Sequence, residues 1–274
     1  TTLFRSYNLR VRHLCTDGSV SMWINATFNT ECDVISSFPF EEGFEQDWIS
    51  YPLFGQNITA PNCWAVYDGG YGSTSNYNWR HETYTNRVYQ GLGSASCYTD
   101  YSSGQHNDWL ITPEIQLTGN EMLTFYAQRA SATTSEPDEV SIWISEENAI
   151  LTAPANSYDT LPGFTQIFQT DIPEGPFQEY NVMLTNYSGV RRIAFVRRYA
   201  PNDGWYLCID NVKIDEAPNC MTPSALQTMS VDETEATLTW ASTSSSVDLY
   251  YRPVGDTTYA VEMGAYLDAD NLFT

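Results

Sequence analysis

From Leu9 to Leu14 the chain alternates: Leu9, Val11 and His13 fall on one side, and Arg10, Arg12 and Leu14 on the other. A period of two predicts a strand. The period returns at 121–128, where Leu123, Phe125 and Ala127 share a face, and at 138–145, where Val140, Ile142 and Ile144 do. At 191–199, Ile193 and Phe195 alternate with Ala194 and Val196, and a further strand is predicted over 206–214. Helical periodicity is almost absent. Clusters of Gly, Pro, Asn and Ser, such as residues 67–78 and 152–163, separate the strands. Many short strands with this punctuation predict a β-sandwich or jelly roll.

The pattern breaks twice, around residues 29–42 and at 215–224. The expected domains are therefore 1–30, 31–216 and 217–274. In the last of these, Ala236, Leu238 and Trp240 line one strand, and Val247, Leu249 and Tyr251 the next, which ends in Arg252-Pro253. That run resembles the first half of a fibronectin type III module. The opening residues, with Tyr7 placed like a tyrosine corner, resemble the last two strands of the same module. Together the two pieces approach the ~100 residues of an immunoglobulin-like sandwich. The expected fold class is all-β: a central jelly-roll β-sandwich flanked by partial fibronectin type III halves. Half a sandwich leaves an apolar face and open edges, so neighbouring copies of the same repeat are the expected partners. The alternative is that both ends reflect where the chain was cut.

Charge narrows the function. Twelve Lys and Arg against 34 Asp and Glu give a net charge of −22. Binding DNA or RNA through phosphates needs clustered cations, so nucleic acid is excluded as a partner. Anionic membrane surfaces are disfavoured, and no apolar run reaches the ~20 residues of a spanning helix, so no membrane insertion is expected. Divalent cations and cationic partners are permitted.

The central block, 38–216, resembles the cleaved-adhesin and choice-of-anchor-J jelly rolls of Bacteroidota surface proteins. The matching stretches are 40–48 (FEEGFEQDW), 107–117 (NDWLITPEIQL), 139–145 (EVSIWIS) and 205–214 (WYLCIDNVKI). The resemblance implies a non-catalytic, extracellular or cell-surface module. Its relatives include adhesin modules attached to secreted proteases. It also implies a structural calcium where the first and last strands meet, at Glu45, Asp108 and Asp210. Calcium takes six to eight oxygens, mostly from carboxylates and carbonyls, and Asp210 lies in an otherwise apolar strand where an unpaired carboxylate is costly. Backbone hydrogen bonds or an arginine would answer that cost equally well.

Residues 67–91 carry five tyrosines and a tryptophan among Asn, Arg and His. A flat apolar ring with polar groups beside it suits a pyranose, and protein-binding loops use the same residues. Tyr77, Trp79, Arg80 and Tyr84 are the candidate ligand residues; the alternative is rings packed on the sandwich edge. His13, His81 and His106 stand in no nucleophile or metalloprotease motif, and no acidic dyad can be singled out, so no enzyme is expected.

Six cysteines at wide spacing suit disulfides in an exported protein, with buried thiols the alternative. Fifteen pairings are possible. Cys15–Cys220 would join the split module across a repeat seam, and Cys63–Cys97 is the second expected pair. Asn25, Asn57 and Asn186 stand in Asn-x-Ser/Thr sequons, and Thr160 and Thr257 follow Asp as in the O-glycan acceptor motif of Bacteroidota. The expected function is an adhesin-like repeat unit binding carbohydrate or a host protein. The alternatives are a structural spacer or filament subunit, or the accessory module of a secreted protease or glycan-degrading enzyme.

Overall fold

The computed structural model describes residues 6–29, 32–50, 53–70, 77–98, 106–130, 138–198, 206–218, 224–231, 236–241, 246–255, 257–258, 260–266 and 272–273. The chain is all-β and divides into two units, Thr1–Glu216 and Ala217–Thr274.

The first unit is built on two antiparallel sheets. One has six strands, in the order Gln178–Met183, Glu121–Arg129, Tyr206–Glu216, Ser94–Tyr98 and Trp79–Glu82, with Phe40–Glu42 also pairing with Tyr206–Glu216. The other has five, in the order Phe164–Ile172, Asp138–Ser145, Ile193–Arg197, Asp108–Ile111 and Ala65–Tyr67. The period-two reading of 121–129 holds. Leu123, Phe125 and Ala127 are buried in the core, while Met122, Thr124 and Tyr126 are half-buried on the other face.

Asp108–Ile111 and Ile193–Arg197 are buried at every position. Their inner face joins the main core, where Phe125 meets Phe195 edge to face at 5.2 Å. Their other face is covered by a second cluster containing Trp109, Trp143, Leu161 and Phe164. A sheet covered on both faces needs apolar residues at consecutive positions, which is why these strands read as continuous runs.

Arg197 ties the layers together. It pairs with Asp138 at 2.7 Å, both side chains fully buried, and donates from Nη1 to the Cys97 carbonyl of the other sheet at 2.8 Å. Cys32 and Cys63 form the one disulfide among the described residues. The expected Cys63–Cys97 pair is corrected: Cys97 is fully buried on the inner face of its strand, opposite Trp79. Cys208 sits opposite Ser96, one position along from Cys97, and so faces the other side of the sheet. Cys15 is an exposed free thiol, and Cys220 lies outside the described residues.

Ahead of the sandwich, Ser6–Val11 and Ile24–Asn29 form a separate two-stranded antiparallel sheet. The second unit holds a three-stranded sheet, Ser224–Val231, Ala236–Ala241 and Leu272–Phe273, and a two-stranded one, Ser246–Tyr251 with Ala260–Tyr266. Trp240 is buried there, as the pattern of its strand predicts.

Candidate functional site

The outer face of the six-stranded sheet carries the polar chemistry of the first unit. Alternation fixes which side chains reach it. In Trp79–Glu82, Trp79 lies opposite Cys97 and faces the core, so Arg80 points out beside Ser96. Tyr98 lies opposite Tyr206 on the neighbouring strand, with ring centroids 4.7 Å apart. The Arg80 guanidinium lies 5.9 Å from the Tyr98 ring and 5.6 Å from the Tyr206 ring. Such cation–π contacts hold planar groups in register.

Residues 83–92 lie across this face and are tied to it. Asp210 accepts the Tyr89 amide at 2.8 Å and the Gln90 amide at 3.2 Å on Oδ2, and the Asn211 amide at 2.7 Å on Oδ1. Glu45 accepts the Leu92 amide at 2.7 Å. Gly91 has φ +79, and a Cβ there would fall 1.9 Å from Glu45 Oε1. Only glycine combines that backbone with so close an approach. Arg87 binds Glu82 at 2.9 Å and lies 3.4 Å above the Tyr206 ring.

Two exposed tyrosines result. Tyr84, 68% exposed, rests 5.2 Å from Arg87. Tyr89, 43% exposed, stacks on Tyr126 with centroids 3.9 Å apart and planes inclined by 13°. The Tyr126 hydroxyl donates to Glu179 Oε2 at 2.7 Å, which pushes the phenol's pKa up. Asn181 and Tyr126 in turn hold Glu179 below the usual carboxylate range. Beside this stack runs a groove of about 740 Å³. Glu41, Glu42, Glu45, Gln90, Thr124, Glu179, Asn211 and Lys213 line it. The Asn211 amide donates to Gln90 Oε1 at 2.9 Å.

Of the four expected ligand residues, the structure brings three to this face. Tyr77 stacks on Tyr98 at 5.7 Å, Arg80 spans the two rings, and Tyr84 is exposed. Trp79 is corrected: it is fully buried, and its indole N–H donates to the Asp108 carbonyl at 3.1 Å. Tyr89, Tyr98, Tyr126 and Tyr206 went unassigned in the sequence, although alternation puts Tyr126 opposite in sense to Phe125.

The expected metal residues also separate. Glu45 and Asp210 share one neighbourhood with Glu42. Burial raises the pKa of Glu42, and the Glu45 and Asp210 charges add to it; burial also raises that of Asp210. Asp108 is elsewhere, because its strand belongs to the other sheet. It is fully buried with His106 Nδ1 at 2.9 Å and the Cys97 thiol at 3.7 Å. Among the described residues, no three His, Cys, Asp or Glu side chains are grouped to hold a metal ion, and no helix is long and apolar enough to cross a membrane. Thr160 is half-buried and Thr257 exposed.

No family model matches the chain, and no curated protein does. Solved structures do. The K1 cleaved adhesin domain of Lys-gingipain from Porphyromonas gingivalis W83 is similar at a TM-score of 0.48 and 18% identity, over 66% of this chain and 100% of that one. The K2 cleaved adhesin domain of Lys-gingipain gives 0.45 and 19%, over 66% and 99%. A carbohydrate-binding module, TmCBM61 in complex with β-1,4-galactotriose, gives 0.38 and 10%, over 63% and 99%.

Proposed function

We propose that the chain is a non-catalytic binding module, extracellular or at a cell surface, that takes neutral carbohydrate on the outer face of its six-stranded sheet. One observation carries this: Tyr89 is exposed yet held by its stack on Tyr126, which lines a groove of amides and carboxylates, and Tyr84, held by Arg87, is exposed on the same 83–92 segment. Flat rings offer an apolar surface to a sugar ring, and Gln90, Asn211 and Glu179 offer partners to its hydroxyls. Rings fixed before binding lose less entropy on binding. Four glutamates against Lys213 in the groove lining disfavour sialylated or uronic acid chains.

Screening neutral and acidic glycans on an array and by affinity electrophoresis tests the reading. Retention is expected on a subset of neutral chains. Tyr89→Ala should weaken it about tenfold, the loss of one ring contact worth roughly 1.4 kcal/mol, with the melting temperature nearly unchanged. Silence across every neutral glycan, or retention untouched by Tyr84→Ala and Tyr89→Ala together, refutes it.

We further propose a structural calcium at Glu45 and Asp210. Neither is in an ion pair among the described residues, and the Glu45 charge adds to the burial that raises the pKa of Asp210. That charge balance fits a divalent cation. The hydrogen bonds that Glu45 and Asp210 accept from the 83–92 backbone mean that the ion would brace the segment carrying Tyr84 and Tyr89. Calcium bound at a hundredfold excess over its Kd would stabilise the fold by about 2.7 kcal/mol. The melting temperature in calcium should exceed that in chelator by several degrees, and Asp210→Asn should remove most of the difference. Equal melting temperatures rule the site out.

A further inference from the structure

The hairpin ahead of the sandwich is amphipathic and has no sheet partner among the described residues. Val11 lies opposite Ile24 and Leu9 opposite Ala26, so these residues share one face. Ile24 is 75% exposed, with Val11 and Leu9 about half exposed, and Met22 is 88% exposed. No third strand joins this sheet among the described residues. A lone hairpin with a bare apolar face is marginal in water, and such a face marks an interaction surface. The opposite face is basic and ordered: Arg10 donates to Asn25 Oδ1 at 3.0 Å, and the Arg10 and Arg12 guanidiniums lie 5.4 and 4.6 Å from the Trp23 ring.

Charge points to the occupant. In a chain of net −22, residues 1–30 carry three arginines and a single acid, Asp17. Residues 217–274 carry eight acids and one arginine, Arg252. That unit also exposes apolar side chains, among them Val231 and Tyr251, and its described residues form five strands in two small sheets whose edge strands have no further partner among the described residues. Open edges accept strands from other chains. Two strands added to five make seven, the count of a complete immunoglobulin-type sandwich.

We infer that the basic hairpin of one copy docks on the acidic Ala217–Thr274 unit of a second copy. This inference is independent of the carbohydrate reading. The contact is head to tail: each copy offers one hairpin and one acceptor, so assembly continues beyond a dimer as an open chain.

Sedimentation velocity on the full chain tests it. The weight-average mass of the wild type should rise with concentration from 31.0 kDa to beyond twice that value. Val11→Glu with Ile24→Glu should remove the hairpin as a donor, and Val231→Arg with Tyr251→Arg should remove the acceptor. Each variant alone should stay monomeric, and the two mixed should give a dimer and nothing larger. The dimer formed by the mixture checks that each variant keeps its unaltered half folded and competent. Arg10→Glu with Arg12→Glu, which keeps the apolar face, should weaken association at least tenfold. Any one of four results overturns the inference. They are a wild type that stays monomeric at all concentrations, a wild type that stops at dimer, an acceptor variant that assembles as the wild type does, and association that survives both hairpin variants.

Discussion

Replacing Asp138 with alanine is expected to destabilise the sandwich by about 3–5 kcal/mol, the cost of leaving a buried charge without its partner. Arg197 contacts Asp138 through two parallel bonds, Nε to Oδ1 at 3.1 Å and Nη2 to Oδ2 at 2.7 Å, and neither side chain reaches solvent. A guanidinium cannot shed its proton to escape burial. Lost from its fork, Arg197 would keep its charge between two sheets with the Cys97 carbonyl as a remaining partner. Urea unfolding checks the number. Asp138→Ala with Arg197→Met should recover much of the loss, because removing both charges is far cheaper than stranding one. A loss below about 1 kcal/mol for Asp138→Ala would show that water reaches the pair.

Raising the pH from 4 to 8 is expected to cost roughly 4 kcal/mol of folding stability through Asp68. Burial raises this carboxyl's pKa from 3.8 to about 7, and the Asp108 charge adds to the shift. Asp108 is itself raised well above its ordinary value by burial, despite Arg197. His106, close to Asp108, pulls Asp68 the other way, and Asn78 donates to its Oδ2 at 3.4 Å. The folded state therefore keeps a proton that the unfolded chain gives up near pH 3.8. The stabilisation is complete below that pH and is lost as pH rises through about 7. A gap of about three pH units corresponds to roughly 4 kcal/mol. Denaturant unfolding across this range checks the slope. Asp68→Asn should make it shallower, with the share carried by the buried Asp108 carboxyl remaining, and should be the more stable protein at pH 8. A slope that Asp68→Asn leaves unchanged would assign the titration to another group.

The sandwich was legible because burial on one face writes itself into the sequence as a period of two. Leu123, Phe125 and Ala127 are one such row. The same rule explains the error at Trp79. Residues 79–82 form a strand, so Trp79 and Arg80 face opposite ways, and only Arg80 reaches the outer surface. Tyr98 and Tyr206 meet through sheet pairing across a long stretch of chain, and local pattern holds no trace of that register. Asp210 was read as costly inside its strand. The cost is answered by three backbone amides, two of them from the 83–92 segment, a partner visible only once that segment is folded back. Cys32 and Cys63 are joined, whereas Cys97 and Cys208, on neighbouring strands, face apart.

The account rests on carbohydrate meeting the outer face of the six-stranded sheet, and a footprint tests that most directly. Hydrogen–deuterium exchange should be recorded on the full chain, free and saturated with the neutral glycan it retains best. Protection is predicted over residues 83–92 and on the Glu121–Arg129 and Gln178–Met183 strands, which carry Tyr126 and Glu179. Protection confined to the Phe164–Ile172 strand of the other sheet, or none at saturation, would contradict it.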